Sequence, residues 1–145
     1  MSSVWFTSDL HFWHKNVIKF CTRPWETPEA MNEGLITNWN EVVQPWDSVY
    51  ILGDVFFCGT IEAKRILSLL KGKKYLIAGN HDWGKLKKHR AEEFGFEFIV
   101  DKFCLRLGGK DVKLSHFPYK NAGDHTEGEE RFSDRRYDDD GGWLQ

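Results

Sequence analysis

Several side chains able to bind a metal or move a proton follow short apolar runs of the sequence. They are Asp9, His11, Asp54, Asn80, His81, Asp82 and His116. Carboxylate, imidazole and amide groups without thiolates suit borderline divalent metals such as manganese, iron or zinc. One carboxylate in such a set can bridge two metals about 3.5–4 Å apart, an arrangement that supports in-line attack on phosphorus. These residue types therefore indicate a metal centre suited to phosphoryl chemistry.

The apolar runs that precede these residues predict buried strands. The strands are expected over residues 4–7, 48–52 and 74–78, and each one ends where the polar residues begin. In an open α/β sheet the carboxyl ends of parallel strands border one crevice, which is where ligands bind. We therefore expect the strand ends to lie side by side and to face His116.

Capping residues and helically spaced apolar side chains predict the segments between these strands. Thr27 is expected to cap a helix that ends before Pro45. Thr60 is expected to cap a second helix, with Gly72 in its C-terminal capping position. A third, basic helix is expected over residues 85–94. Alternation of strands and helices is typical of a parallel α/β layer.

The pattern changes after the third helix. A strand is expected over residues 96–100, followed by a hairpin over residues 103–114 that turns at residues 108–111. Residues 121–140 are rich in Gly, Asp, Glu and Arg and are expected to form an exposed loop. The sequence thus predicts an α/β fold, arranged as a single domain over residues 1–145.

Length, charge and cysteine content restrict the classes of function. The chain has 145 residues, 41% hydrophobic residues and a net charge of −2, values typical of a soluble globular domain. That charge does not indicate nucleic acid as a partner, and no apolar run has the roughly 18 residues of a membrane span. The N-terminus does not resemble a signal peptide, and three cysteines without CxxC spacing do not suggest a disulfide framework. We expect a cytoplasmic protein.

Four segments at predicted strand ends carry a family resemblance. They are Asp9-Leu10-His11, Gly53-Asp54-Val55, Gly79-Asn80-His81-Asp82 and Ser115-His116. In this order they resemble the motifs of the calcineurin-like metallophosphoesterases, and two further segments, Arg23-Pro24-Trp25 and Trp39-Asn40, are similar to the small bacterial and phage branch of that family. The resemblance implies a layered β-sandwich flanked by helices and the activity of a di-metal phosphohydrolase.

The resemblance also implies a ligand set for two divalent metal ions. Asp9 and His11 would bind the first metal, and Asp54 would bridge both metals. Asn80 and His116 would bind the second metal. Mn²⁺ is the expected ion, with iron, zinc, nickel or cobalt as alternatives. The nucleophile implied is a metal-bridging hydroxide, because coordination lowers the pKa of water to about 7.

Catalysis, by the same resemblance, depends on the segment that follows the third strand. His81 would contact the substrate phosphoryl group, together with Asn80, and would stabilise the transition state or protonate the leaving oxygen. Asp82 would orient His81 through its second ring nitrogen. The expected substrate is therefore a small phosphorylated molecule.

The sequence departs from the family pattern in two places. It contains no Gly-His-x-His motif, whose two imidazoles complete the metal shells in the family, so each metal is expected to be one ligand short, as in a phosphoesterase shortened at its C-terminus. The loop after Asp54 lacks the Asp-Arg-Gly of protein serine/threonine phosphatases, which favours a phosphodiester or a nucleotide-like phosphomonoester. The alternative function is an inactive, metal-poor module that binds a phosphorylated ligand or partner.

Two other phosphate-binding patterns compete with this interpretation. Residues 79–86 have the spacing of a P-loop, but Leu86 stands where a magnesium-binding Ser or Thr is needed. Cys58 and Arg65 are separated by six residues, one more than in a tyrosine phosphatase loop. Both alternatives are therefore disfavoured.

The remaining polar residues have simpler interpretations. His14, His89 and His125 are expected to be structural. The basic runs at residues 85–90 and 131–136 are expected to be solvated faces, although near the crevice they could attract a polyanionic substrate. The acidic run at residues 138–140 is expected to be a turn or loop.

Overall fold

A four-stranded parallel sheet forms the centre of the computed structural model, which describes residues 1–86 and 89–118. Its strands are β1 (Val4–Thr7), β2 (Ser48–Ile51), β3 (Lys73–Ile77) and β4 (Phe96–Val100), in the order β1-β2-β3-β4. All three neighbouring pairs are parallel. The strands before Asp9, Asp54 and Asn80 are therefore neighbours, as predicted.

Within the described residues, four helices connect the strands or follow them. They are α1 (Lys15–Phe20), α2 (Pro28–Val42), α3 (Thr60–Leu69) and α4 (Asn80–Leu86). The Thr27 hydroxyl caps α2 by accepting the Ala30 N–H at 3.2 Å, as its sequence position predicts. Gly59 is the N-cap of α3, one residue earlier than expected.

The two faces of the sheet bury different partners because alternate residues of each strand point to opposite sides. On one face Val49 and Ile51 pack in the main core with α2 and α3 side chains such as Trp39 and Ile66. On the other face Tyr50 packs in a second cluster with side chains of the hairpin. Burial on both faces explains why β2 reads as a continuous apolar run.

The hairpin consists of β5 (Lys102–Leu107) and β6 (Lys110–Ser115), which pair in antiparallel register. Phe103 stacks on Tyr50 with ring centroids 5.9 Å apart, and Leu114 is buried beside Ile77. The hairpin therefore covers the face of the sheet opposite the helices and carries His116 towards the carboxyl edge. This layered arrangement confirms the α/β fold class.

The predicted basic helix over residues 85–94 is wrong. The helix begins earlier, at Asn80, and ends at Leu86 within the described residues, and a separate 3₁₀ turn covers Ala91–Phe94. The backbone of Arg90 is extended, and its N–H donates to the Glu93 carboxylate at 3.3 Å. This local cap begins a new turn, and the extended backbone at Arg90 is incompatible with one continuous helix over residues 85–94.

Several expectations fall outside the described residues. They concern the loop at residues 121–140, the basic run at residues 131–136, the acidic run at residues 138–140 and His125. The single domain over residues 1–145 also stays a prediction for this reason. Among the described helices, none has the length and apolar character needed to cross a membrane.

Candidate metal centre

The loops that follow β1 and β2 continue to pair after the strands end. Asp9 N–H donates to the Gly53 carbonyl at 3.0 Å, and His11 N–H donates to the Asp54 carbonyl at 3.0 Å. Phe12 and Phe56 then form an isolated parallel bridge. These backbone contacts hold the loop that carries Asp9 and His11 beside the loop that carries Asp54.

Three of the predicted ligands have left-handed backbone conformations that non-glycine residues seldom adopt. The φ angles are 53° at Asp9, 53° at His11 and 54° at Asp54. Such conformations are unfavourable for residues with a Cβ, and they persist where the surrounding structure enforces them, often at functional sites. These strained conformations turn the side chains of Asp9, His11 and Asp54 towards one another.

The Asp54 carboxylate lies close to both His11 and His116. Its Oδ2 is 3.7 Å from His11 Nε2 and 3.6 Å from His116 Nε2, and His11 Nε2 is 3.5 Å from Asp9 Oδ1. The donor atoms of Asp9, His11 and Asp54 all lie within 4.8 Å of one another. Asp54 is only 3% exposed, and its buried Oδ1 has no hydrogen-bond partner in the described part of the chain.

His116 is oriented by the end of β2. Its Nδ1 donates to the Leu52 carbonyl at 2.6 Å, which leaves the lone pair of Nε2 directed to the Asp54 side. A metal-binding histidine commonly uses one ring nitrogen in this way, because the hydrogen bond fixes its tautomer. The prediction that His116 faces the strand ends is confirmed.

Glycines make the close packing around Asp54 and His116 possible. A Cβ on Gly79 would lie 2.5 Å from Asp54 Oδ1 and 2.9 Å from His116 Nε2. Gly53 has a φ of +83°, and a Cβ there would lie 2.3 Å from His116 Nδ1. The glycines of the Gly-Asp and Gly-Asn motifs thus provide space for the candidate ligands.

The Asp82 carboxylate is held by backbone N–H groups. Its Oδ2 accepts the Asp54 N–H at 2.7 Å and the Gly79 N–H at 2.8 Å, and its Oδ1 accepts the Val55 N–H at 3.0 Å. The orientation of His81 by Asp82 stays a prediction. Burial raises the pKa of Asp82, against the lowering effect of these N–H groups. Asp82 ties the loop after β2 to the loop after β3.

His81 and Asn80 begin α4 next to this cluster. The His81 ring centroid is 4.9 Å from that of Phe57, which also stacks on His11 at 4.9 Å. The Nε2 atom of His81 is buried without a hydrogen-bond partner among the described residues. Asn80 is exposed at the first position of the helix, directly after Gly79. Its role as a metal ligand stays a prediction.

Sequence reasoning missed the contact between His14 and the centre. His14 Nδ1 lies 2.8 Å from His11 Nδ1, and its ring stacks on Phe57 with centroids 4.0 Å apart. Burial lowers the pKa of His14, as do the neighbouring His11, His81 and Arg23. The only sequence signal for this contact was the spacing of three residues between His11 and His14.

The charge state of Asp9 suits cation binding. Partial burial raises its pKa, but hydrogen bonds with His11 and Ser8 and the nearby His116 lower it, and the net pKa lies below the ordinary carboxyl value. Asp9 is therefore a carboxylate at neutral pH. The candidate ligands are carboxylates and imidazoles, and one buried carboxylate oxygen, Asp54 Oδ1, has no hydrogen-bond partner among the described residues. Both features fit the binding of a borderline divalent cation.

The structure disfavours the two alternative phosphate sites. Residues of the P-loop-like segment from Asn80 onwards are already helical, so they form no open loop before the helix. The Arg65 guanidinium pairs with Glu62 at 2.7 Å, which directs it to a partner on its own helix rather than to Cys58.

Comparison with known proteins decides the family. The model of the calcineurin-like phosphoesterases matches residues 2–143. The chain belongs to this family. The resemblance carried by the four strand-end motifs is thereby confirmed.

Similar proteins come from an archaeon, a phage and a bacterium. An uncharacterized protein of Methanocaldococcus jannaschii is 41% identical over 69% of this chain and 58% of its own length. The Gene 66 protein of Mycobacterium phage L5 is 36% identical over 97% of this chain and 74% of its own. A crystal structure of a protein of unknown function from Aquifex aeolicus has a TM-score of 0.66 at 33% identity, covering 83% of this chain and 64% of that one. The chain thus spans less than two thirds of the length of the archaeal and Aquifex proteins.

Proposed function

We propose that this phosphoesterase hydrolyses a phosphodiester or a small, nucleotide-like phosphomonoester with the help of two divalent metal ions. One observation carries the proposal: a single oxygen, Asp54 Oδ2, lies 3.7 Å from His11 Nε2 and 3.6 Å from His116 Nε2. A buried carboxylate close to two imidazole nitrogens is suited to bridging two cations.

The ligands divide between two metal positions. Asp9 and His11 would hold the first metal, Asp54 would hold both, and His116 with Asn80 would hold the second. Mn²⁺ is the proposed ion because the donors are oxygen and imidazole nitrogen without thiolate. Metals bound there would polarise the phosphoryl oxygens and lower the pKa of a coordinated water to about 7.

His81 is the proposed catalytic residue that does not bind metal. Its buried Nε2 lacks a hydrogen-bond partner among the described residues, and its ring lies beside Phe57 at the edge of the centre. A donor left unpaired in the free enzyme can stabilise the phosphoryl group or protonate the leaving oxygen. Asn80 would contact the substrate from the preceding position.

The loop after Asp54 supports a small substrate. It reads Val55-Phe56-Phe57-Cys58-Gly59 and contains no arginine to hold a phosphorylated protein side chain. No disulfide joins Cys21, Cys58 and Cys104, all of which lie within the described residues, and the cytoplasm is the proposed compartment of the reaction.

Metal content and hydrolysis test the proposal together. Purified protein would be loaded with Mn²⁺, dialysed and analysed for bound metal, then assayed with bis-p-nitrophenyl phosphate, p-nitrophenyl phosphate and cyclic nucleotides. We expect Mn²⁺-dependent release of product. Asp111→Asn is the matched control, because Asp111 is an exposed carboxylate of the hairpin.

Two results would contradict the proposal. Hydrolysis that persists after chelation of all metal would exclude the metal mechanism. Retained binding of phosphorylated compounds with no hydrolysis at any Mn²⁺ concentration would favour the alternative, a module that binds phosphorylated ligands without cleaving them.

A further inference from the structure

The segment Arg23-Pro24-Trp25 lies between α1 and α2, and its arginine reaches the loop that carries Asp9 and His11. Arg23 Nη2 donates to the Asp9 carbonyl at 2.7 Å, and Arg23 Nη1 donates to the Leu10 carbonyl at 2.8 Å. A single guanidinium thus binds two successive carbonyls from a position 13 or 14 residues away in the chain.

These two carbonyls belong to the peptide planes on either side of Leu10. Asp9 and His11 flank them, and both have a left-handed φ of 53°. A planar guanidinium with a rigid arrangement of donors fixes the relative orientation of two acceptors in a way that a lysine ammonium cannot. Arg23 therefore stabilises the unusual backbone conformation that directs the Asp9 and His11 side chains to the same centre.

Both neighbouring helices anchor the segment. Arg23 N–H donates to the Ile18 carbonyl at 2.9 Å, and Nη1 lies 3.4 Å from Sδ of the fully buried Met31. The Trp25 indole packs directly on Gly34 of α2, where a Cβ would lie 2.4 Å from Trp25 Nε1. The position of Arg23 is therefore set by the helices and does not depend on a ligand.

We infer that Arg23 is a positioning residue for the metal centre, which shapes the first metal position by holding the backbone between Asp9 and His11. The inference rests on the proposed function, since that function assigns the first metal to these two residues. An arginine near a phosphoesterase centre could instead bind substrate phosphate, but here one N–H of each Nη atom donates to a backbone carbonyl, which favours the positioning role.

Hydrogen exchange of the metal-free protein tests the backbone part of the inference. The His11 N–H is bonded to the Asp54 carbonyl and reports the conformation of the loop. In Arg23→Lys we expect exchange at this amide to accelerate about tenfold or more, while amides of β3 change little. Arg106→Lys is the matched control, because Arg106 is an exposed hairpin arginine paired with Asp111.

Metal binding tests the functional part. Titration with Mn²⁺ should show a first-site affinity reduced by about 10–100-fold in Arg23→Lys, the range seen when residues that orient ligands are lost. At saturating Mn²⁺ the KM for bis-p-nitrophenyl phosphate should stay near the wild-type value. In Arg23→Ala, millimolar guanidinium chloride should restore part of the metal affinity, and sodium chloride of equal ionic strength should not.

A variant distant from the loop gives independent evidence. Gly34→Ala would push the Trp25 indole away from α2 and should reproduce the accelerated His11 exchange. Gly59→Ala is its control, because a Cβ there meets no atom within 4 Å. Exchange that rises equally in all segments would mean that the variant only lowers global stability, and would count against a local role.

The outcomes separate this inference from the proposed function. Unchanged His11 exchange and unchanged Mn²⁺ affinity in Arg23→Lys would overturn the inference while leaving the proposed function intact. A raised KM with unaltered metal affinity would show that Arg23 binds substrate, which also overturns it. Failure of the wild-type chain to bind Mn²⁺ would overturn the proposed function and the metal role of Arg23, whereas the exchange result would still decide whether Arg23 holds the loop.

Discussion

Asp47 and Asp54 stand at opposite ends of β2, and the two buried carboxylates differ in how their oxygens are used. Asp47 is 2% exposed, and it accepts hydrogen bonds from Ser3 N–H at 2.7 Å, Trp5 Nε1 at 3.0 Å and Gln44 N–H at 3.0 Å. Asp54 faces two imidazoles, and its Oδ1 has no hydrogen-bond partner in the described part of the chain.

This difference in hydrogen bonding distinguishes Asp47, which has a structural role, from Asp54, which is a candidate metal ligand. A buried carboxylate is tolerated when donors satisfy it, and an unsatisfied one is unfavourable unless a cation binds. Donors at the amino end of β2 come from the N-terminal strand and the α2–β2 turn. At the carboxyl end, the loops with left-handed residues place the Asp9 carboxylate and the His11 imidazole near Asp54. The groups around Asp54 are therefore suited to binding a cation.

The largest effect that this comparison predicts is for Asp54→Asn. Loss of the shared carboxylate should remove both metals and reduce Mn²⁺-dependent hydrolysis by at least about 10³-fold, since even the loss of a residue that only orients a metal ligand costs about 10–100-fold. The melting temperature of the metal-free protein should fall little. Metal analysis, kinetics and thermal melts of Asp54→Asn and Asp47→Asn would check this prediction. Equal metal loss in both variants would contradict the different roles of Asp47 and Asp54.

His81→Ala should have the next largest effect, because His81 Nε2 is another buried atom without a partner at the same end of the sheet. Turnover should fall by about 10²–10³-fold, the usual effect of removing one transition-state donor. Metal content should stay near the wild-type value. Steady-state kinetics with parallel metal analysis would check it, with His89→Ala as the control. Release of metal by His81→Ala would instead identify His81 as a ligand.

Gly79→Ala should weaken the centre through steric contact alone. The new Cβ would lie 2.5 Å from Asp54 Oδ1, so we expect reduced Mn²⁺ affinity in titrations. Gly84→Ala is the matched control within α4, because a Cβ there meets no atom within 4 Å. The control should keep its metal affinity and raise helix stability by about 0.5–1 kcal/mol. Equal metal affinity in both variants would refute close packing at Gly79.

Acid should reveal the smallest effect, at Asp47. Hydrogen bonds from the Gln44 and Ser3 backbones and from the Trp5 indole hold the Asp47 pKa below its ordinary value. A depressed pKa stabilises the fold above the unfolded value of about 3.9, and this contribution is lost as the pH falls through the folded pKa. Thermal melts should therefore show a loss of wild-type stability below about pH 4 that is reduced in Asp47→Asn. Identical pH profiles would contradict this role of Asp47.

Local pattern was enough to find the sheet and most of the candidate centre. Each motif with a candidate ligand follows an apolar strand, and parallel strands end at one carboxyl edge of the sheet. The side chains of Asp9, His11 and Asp54 were therefore expected to lie close together. The structure brings them together with His116. The short helix α1 was missed because it has six residues and no side-chain cap at His14. The helix at residues 85–94 was placed too late because its basic residues favour helix while the Arg90–Glu93 cap interrupts it.

The sequence by itself determined the family, the α/β class and the candidate metal ligands, because these depend on local periodicity and on motifs at strand ends. Only the tertiary structure decided how those side chains are supported. Asp82 binds backbone N–H groups 27 and 28 residues away, and Arg23 binds carbonyls 13 and 14 residues away. Such contacts join loops that are distant in the chain, and no spacing along the sequence specifies which backbone group a buried polar side chain will meet.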